Sequence, residues 1–310
     1  MQRRLAIRTL MLAGAASFLA GLRADDQDFV IRSEVRLVLL DVSVTDRNGG
    51  FVPGLTKDNF RVFENGALQA ITVFAKEDLP VTVGIVVDES WSMTPKRGDV
   101  ISAAETFIEE SNPRDEIFVL NFNETVKPGL PKPLLFSDDL EQLRSALYRG
   151  IPQGRTALND AVIDGLKQLE MGRRDKKALM VISDGGDNAS RHTRREMSEM
   201  VERSIATIYT IGLSEADDPD RNPGILKHMA GVSGGQAYFP ASPPEIVAAC
   251  RGIARDIRTR YTIGYLPPAS NGAGPLRHIH VGVSAPGRAR LTARTRTRYR
   301  YEQAENQSTK

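Results

Sequence analysis

The chain is poor in the residues that staple or ligate. It has one cysteine, four histidines and one tryptophan in 310 residues. One thiol and four imidazoles do not furnish a structural zinc cage. No long excess of either charge is present: the formal net charge is +2, so bulk electrostatics points neither to nucleic acid nor to a membrane surface. Internal repeats and low-complexity tracts are absent as well. With 41% apolar and 26% charged residues, the composition is that of a soluble globular protein, and the length allows two folding units at roughly 100–200 residues each.

The N-terminus carries the one sustained apolar run. Arg3, Arg4 and Arg8 precede residues 9–22, which close on Arg23-Ala24 before Asp25-Asp26. A basic start, a short apolar run and a small residue describe a secretory signal peptide over 1–24. The run falls short of the roughly 20 residues of a spanning helix, although an uncleaved anchor is the competing reading because Leu22 and Arg23 make an imperfect cleavage site. No cysteine near residue 24 is available for a lipid anchor. The expectation is an exported protein, periplasmic or secreted, with no transmembrane segment after cleavage, in which Cys250 is an unpaired thiol buried in a helix.

Residues 25–79 have the alternation of β-strands, as in Val38, Leu40, Val42 and Val44, and Asn65-Gly66 is a strong hairpin signal. Thr56 to Asn59 suits one helical turn. From about residue 80 the pattern changes to apolar runs at 81–88, 116–122, 177–183, 206–211 and 236–239. Amphipathic stretches separate them at 97–110, 138–148, 157–171, 192–204, 223–230 and 243–257. This predicts an α/β unit over 80–257, a doubly wound, mostly parallel sheet with helices on both faces. A short antiparallel edge strand is expected at 125–127. Residues 258–301 return to β, with strands at about 276–284 and 289–301, and 302–310 have the composition of a disordered tail. Neither β flank is large enough to bury a core alone, so the two are expected to form one β-sandwich into which the α/β unit is inserted.

The run 81–88 ends on Asp88-Glu89-Ser90-Trp91-Ser92. Its carboxylate and two hydroxyls fall past the carboxyl end of a buried strand, where open α/β sheets hold ligands. Two other loops offer matching oxygens: Gly154-Arg155-Thr156 before a helix, and Asp184-Gly185-Gly186-Asp187-Asn188 after the strand expected beside 81–88. Asp88, Ser90, Ser92, Thr156 and Asp184 form an oxygen-only set with little negative charge, which suits Mg²⁺, Ca²⁺ or Mn²⁺ rather than zinc or copper.

These three motifs, in this order and spacing, resemble the metal-ion-dependent adhesion site of von Willebrand factor type A (VWA) domains. The resemblance covers about residues 80–257. The wider arrangement, including Gly54-Leu-Thr-Lys-Asp-Asn-Phe60 and Ser183-Asp-Gly-Gly-Asp-Asn-Ala-Ser190, is similar to the exported bacterial VWFA-related proteins. The resemblance implies that Ser90, Ser92 and Thr156 bind Mg²⁺ directly and that Asp88 and Asp184 act mostly through water. A sixth position is left for an acidic side chain of a protein partner. The function implied is a metal-dependent interaction or adhesion module. The rival readings are a metal-assisted hydrolase, for which no catalytic constellation is found, and an envelope protein that the metal only stabilises.

Several lesser signals need weighing. Glu89 and Trp91 fill the variable slots of the first motif, as partner contacts or as packing. Asp187 and Asn188 suit a supporting shell around the metal or simple turn formation. Gly231-Val-Ser233-Gly-Gly235 fits the serine-hydrolase elbow in letters, but a helix precedes it and a strand follows, the reverse of what that elbow needs; a helix stop is the expectation. His278 and His280 share one strand face and are expected to be solvated. The arginines at 288, 290, 294, 296, 298 and 300 are expected outward on an edge strand, where charge discourages aggregation; the alternative is an acidic partner or an anionic surface.

Overall fold

The computed structural model describes residues 37–76, 78–213, 221–267, 274–288 and 290–301. The expected signal peptide 1–24 and tail 302–310 lie outside the described residues.

Strand β5 (Val81–Asp88) is buried along its whole length. It runs parallel between β6 (Glu116–Phe122) and β8 (Lys176–Ser183), and both of its faces are covered by helices, which is why its sequence is a near-continuous apolar run. The sheet continues through β9 (Thr207–Gly212) to β10 (Ala237–Tyr238) on one side. On the other it ends in β7 (Val126–Pro128), antiparallel to β6, giving the order β10-β9-β8-β5-β6-β7. Six helices wrap it: α1 (Arg97–Glu110), α2 (Leu140–Tyr148), α3 (Leu158–Glu170), α4 (Arg194–Arg203), α5 (Pro223–Ser233) and α6 (Pro243–Thr259). Cys250 is a free thiol buried in α6, and burial pushes it up to about 12.

The β flanks do combine. One four-stranded sheet has the order β13-β1-β11-β4, from β1 (Val38–Thr45), β4 (Ile71–Ala75), β11 (Tyr261–Tyr265) and β13 (Thr292–Arg294). The other has the order β14-β12-β2-β3, from β2 (Phe60–Glu64), β3 (Ala67–Gln69), β12 (Leu276–Val283) and β14 (Arg298–Arg300). Each sheet mixes strands from both ends, and a single core joins them: Leu40, Val42, Phe60, Val62, Tyr261 and Ile263 are all fully buried. Asn65 (φ 48°) and Gly66 (φ 83°) form the expected hairpin turn between β2 and β3. Thr56 and Asn59 cap the short 3-10 turn Lys57–Asn59 reciprocally.

The single strand expected over 289–301 is instead two, in different sheets. Residues 295–297 cross between them against the end of α5: Thr297 N donates to Val232 O at 3.1 Å, and the backbone at Thr295 and Arg296 lies where a side chain at Gly234 would be. Gly234, at φ 84°, caps α5 in the left-handed conformation. Ser233 is buried, donates its hydroxyl to Ala230 O and accepts from Ile208 N at 2.9 Å, so it is a helix stop and not a nucleophile.

Most of the arginine stripe turns inward, contrary to the outward expectation. Arg298 and Arg300 approach the buried Glu202 of α4 to 2.9 and 3.0 Å as ion pairs rather than aligned hydrogen bonds. Arg296 donates to Glu202 O and Ser204 O. Arg294 reaches Asp256 of α6 at 2.7 Å, and Arg260 meets the same oxygen at 2.9 Å. The stripe is the seam between the sandwich and the α/β unit; Arg288 and Arg290 alone keep the outward position. His278 and His280 are solvent-exposed on one face of β12.

Candidate metal centre

The site sits at the carboxyl ends of β5 and β8. Ser183, the last residue of β8, donates its hydroxyl to Asp88 Oδ2 at 2.6 Å, and Ser90 N donates to Asp88 Oδ1 at 2.9 Å. Ser90 and Ser92 hydroxyls are 3.1 Å apart, and Ser92 Oγ donates to Asp184 Oδ2 at 2.5 Å. Asp184 Oδ1 accepts from Gly186 N at 2.8 Å. Asp88, Ser90, Ser92 and Asp184 are thus one hydrogen-bonded chain across two loops.

Thr156 is delivered by the third loop, which the other two hold from either side. Gln153 N donates to Glu89 O at 2.8 Å and Trp91 N to Gly154 O at 3.2 Å. On the far side Asn188 Oδ1 accepts Thr156 N at 2.9 Å, while Asn188 N and Ala189 N donate to Thr156 O. Asn188 therefore clamps the Thr156 backbone from both ends, a supporting role. Asp187 is turned the other way: its carboxylate accepts from Asn159 N at 2.7 Å in the first turn of α3 and from the Ser190 hydroxyl, a helix-start role.

Glu89 is buried at 2% exposure and accepts Arg97 Nε at 2.9 Å. Arg97 also donates to Gly150 O at 2.7 Å and Tyr148 O at 3.2 Å, so the pair braces the loop that carries Thr156. Trp91, by contrast, is 66% exposed beside the two serines; packing under a neighbouring loop is not its role.

Ser183 was not among the residues picked from sequence, although its place opposite Asp88 at the end of the neighbouring strand was the signal. Asp160 was also passed over. It is buried at the start of α3, accepts from Arg191 N and His192 N and from His192 Nδ1 at 2.7 Å, and so pins the loop that follows Asp184. Gly185 has φ 87° and lies against the Asn222 backbone, where any Cβ would overlap. No distance within a strand predicts such contacts between loops.

Burial pushes the Asp88 carboxyl up to about 7; the Asp184 charge adds to this, and hydrogen bonds from Ser183 and Ser90 oppose it. Every partner of the two carboxylates is a hydroxyl or a backbone N–H, and none among the described residues is a lysine or arginine. Two buried acids with no cationic partner fit a hard cation held by oxygen. Among the described residues no group of three or more His, Cys, Asp or Glu could hold a metal, so a cation here depends on the hydroxyls.

The profile of the von Willebrand factor type A domain matches residues 82–246, more than half of the chain. The chain belongs to this family. Solved structures of similar fold include a von Willebrand factor type A protein from Catenulispora acidiphila (14% identity, TM-score 0.53), with 86% of this chain and 73% of that one covered. Two more are the vWF domain of the type V pili tip protein Mfa5 from Porphyromonas gingivalis (14%, TM-score 0.49, 58% and 95% covered) and BatB from Bacteroides thetaiotaomicron (16%, TM-score 0.46, 58% and 100% covered). At these identities the likeness is one of fold. Curated proteins yield no match to the sequence. Among the described residues of this VWA protein, no helix is long and apolar enough to cross a membrane.

Proposed function

We propose that the VWA domain is an exported, metal-dependent protein-interaction module. Mg²⁺ would be held by Ser90, Ser92 and Thr156, with Asp88 and Asp184 behind them, and the open coordination position would take a carboxylate from a protein partner. The observation that carries this reading is the hydrogen-bonded chain Asp88–Ser90–Ser92–Asp184, whose two buried carboxylates have no lysine or arginine among their hydrogen-bond partners in the described residues. Neutral hydroxyls leave most of the ion's charge uncancelled, so an incoming carboxylate gains a strong electrostatic bond. The chain's own part is to orient oxygens: Ser183 fixes Asp88, Gly186 N fixes Asp184, and Asn188 fixes Thr156. Export rests on the signal-like N-terminus.

The test is Mg²⁺ titration by calorimetry, then capture of partners from cell-envelope extract with Mg²⁺ and with chelator. Binding of Mg²⁺ that is lost in Ser90→Ala and Asp184→Ala, with capture lost in parallel, is expected. Capture indifferent to both chelator and substitutions would overturn the reading.

A further inference from the structure

A cleft of about 500 Å³ lies between the outer face of one sandwich sheet and the α/β unit. Leu39 of β1 and Val73 of β4 line it, and they flank Gly264 of β11 in one row across the sheet. A Cβ at Gly264 would come within 2.8 Å of Val73 and 3.1 Å of Leu39, so these two side chains close over the glycine. The α/β unit contributes Lys176 and Thr207, the first residues of β8 and β9, and Ile205 just before β9.

An antiparallel sheet that packs a core on one face usually carries polar residues on the other. Here Leu39, on that second face, is 51% exposed, and Leu37, Leu79 and Ile205 join it in the cleft as exposed aliphatic side chains, Ile205 at 64%. Single exposed leucines are ordinary, but four around one cleft mark a binding surface. The volume is that of a small-molecule site. A helix, about 10–12 Å across, would fill it within about one turn.

Charge selects the occupant. Four cations, Lys176, Arg203, Arg296 and Arg300, line the cleft against two acids, Asp41 and Asp175. Lys176 lies 3.9 Å from Asp41, and Arg300 is paired with Glu199 and Glu202. Arg296 differs: its Nη2 donates to the carbonyls of Glu202 and Ser204 at 3.0 Å each, and no carboxylate among the described residues forms an ion pair with it. Burial holds this guanidinium below its usual range. A partly buried cation with no counter-charge is the group that gains most from an incoming anion. Ser204 directly precedes Ile205, so the charge stands at the edge of the aliphatic wall.

We infer that the cleft binds a free single-chain fatty acid, its alkyl chain along Leu39, Val73, Leu79 and Ile205 and its carboxylate paired with Arg296. The site is separate from the candidate metal centre, since it opens at the amino ends of β8 and β9 and the metal centre stands at the carboxyl ends of β5 and β8.

The test is calorimetric titration of the full chain with dodecanoate, below its micelle concentration and in chelator. Saturable one-to-one binding is expected. Hexanoate, with the head and half the chain, and dodecyltrimethylammonium, with the chain and the opposite charge, should each bind at least about tenfold more weakly. Ile205→Asp should weaken dodecanoate by at least about tenfold, with the circular dichroism unchanged because the position is exposed. Arg296→Met should erase the preference for carboxylate over ammonium. Since Arg296 also ties down the end of α4, Ile205→Asp and Leu39→Asn carry the test should that variant not fold. No saturable binding, equal affinity for the ammonium amphiphile, or affinity unchanged in Ile205→Asp overturns the inference. Co-sedimentation with phosphatidylglycerol vesicles that Ile205→Asp abolishes would assign the cleft to a membrane surface and overturn it too. Concentration-dependent dimerisation lost in the same variant would assign it to a second copy, with the same consequence.

Discussion

Ser183 Oγ donates to Asp88 Oδ2 at 2.6 Å across the two central parallel strands. The residue that steers the first acid of the candidate metal site therefore comes from the strand carrying the second. Ser183→Ala should leave the fold intact and weaken Mg²⁺ binding by roughly tenfold, in the range found when supporting partners of metal ligands are removed. Calorimetric titration of the two proteins checks this; equal affinity would detach Ser183 from the site.

Metal binding should register as stability. With Mg²⁺ at about 100 times its Kd, linkage adds about 2.7 kcal/mol to the folded state. The melting temperature should rise with Mg²⁺ and fall back with chelator. Asp184→Ala and Thr156→Ala should each flatten that response, and differential scanning calorimetry at several Mg²⁺ concentrations reads it directly.

The seam makes a prediction about acid. Burial works against ionisation of Asp256, but the guanidinium groups of Arg260 and Arg294 outweigh it and hold the carboxyl down at about 2. A carboxyl depressed in the folded state stabilises above its unfolded value near 3.8, by roughly 2 kcal/mol, and this is lost as pH falls from about 4 through 2. Asp256→Asn should remove that part of the acid dependence. It should also cost about 3 kcal/mol at neutral pH, since Arg260 is left buried without its counter-charge. Urea unfolding of both proteins between pH 5 and 2 separates the two effects.

Arginines of one stripe should differ by the side they face. Replacing Arg298 and Arg300 with alanine strands the buried Glu202 and should cost about 1–3 kcal/mol. Arg290→Ala, on the exposed side, should change stability by less than about 0.5 kcal/mol. Equal effects at the two places would mean the ion pairs with α4 contribute nothing.

Much of this was legible in the sequence. The run Val81–Asp88 announces a strand buried on both faces, and the oxygens past its end announce the hydroxyl–carboxylate cluster found there, because burial pattern and side-chain type are written in single residues. Asn65-Gly66 announces its hairpin for the same local reason. The arginine stripe misled because period-two alternation tells which residues share a face but not what that face meets; Glu202 and Asp256 lie on helices far away in sequence. The break at 295–297 was hidden likewise, being imposed by the end of α5 and not by any glycine or proline in the segment. Asn188 suits a supporting shell as well as a turn, and Asp160 carries no site signal of its own, since their partners are backbone groups of other loops.

The strand order also sets a schedule. Among the described strands β1 pairs with β11 and β13, and β4 pairs with β11, Ala75 opposite Thr262. During synthesis β1 and β4 are made before the α/β domain and β11 after it, so their edges stay open in between. Unpaired edges are where nascent chains associate wrongly. β11 and β13 are thus made after the strands they close, and a chain cut short after α6 would carry a finished α/β domain beside two strands that lack their sheet partners.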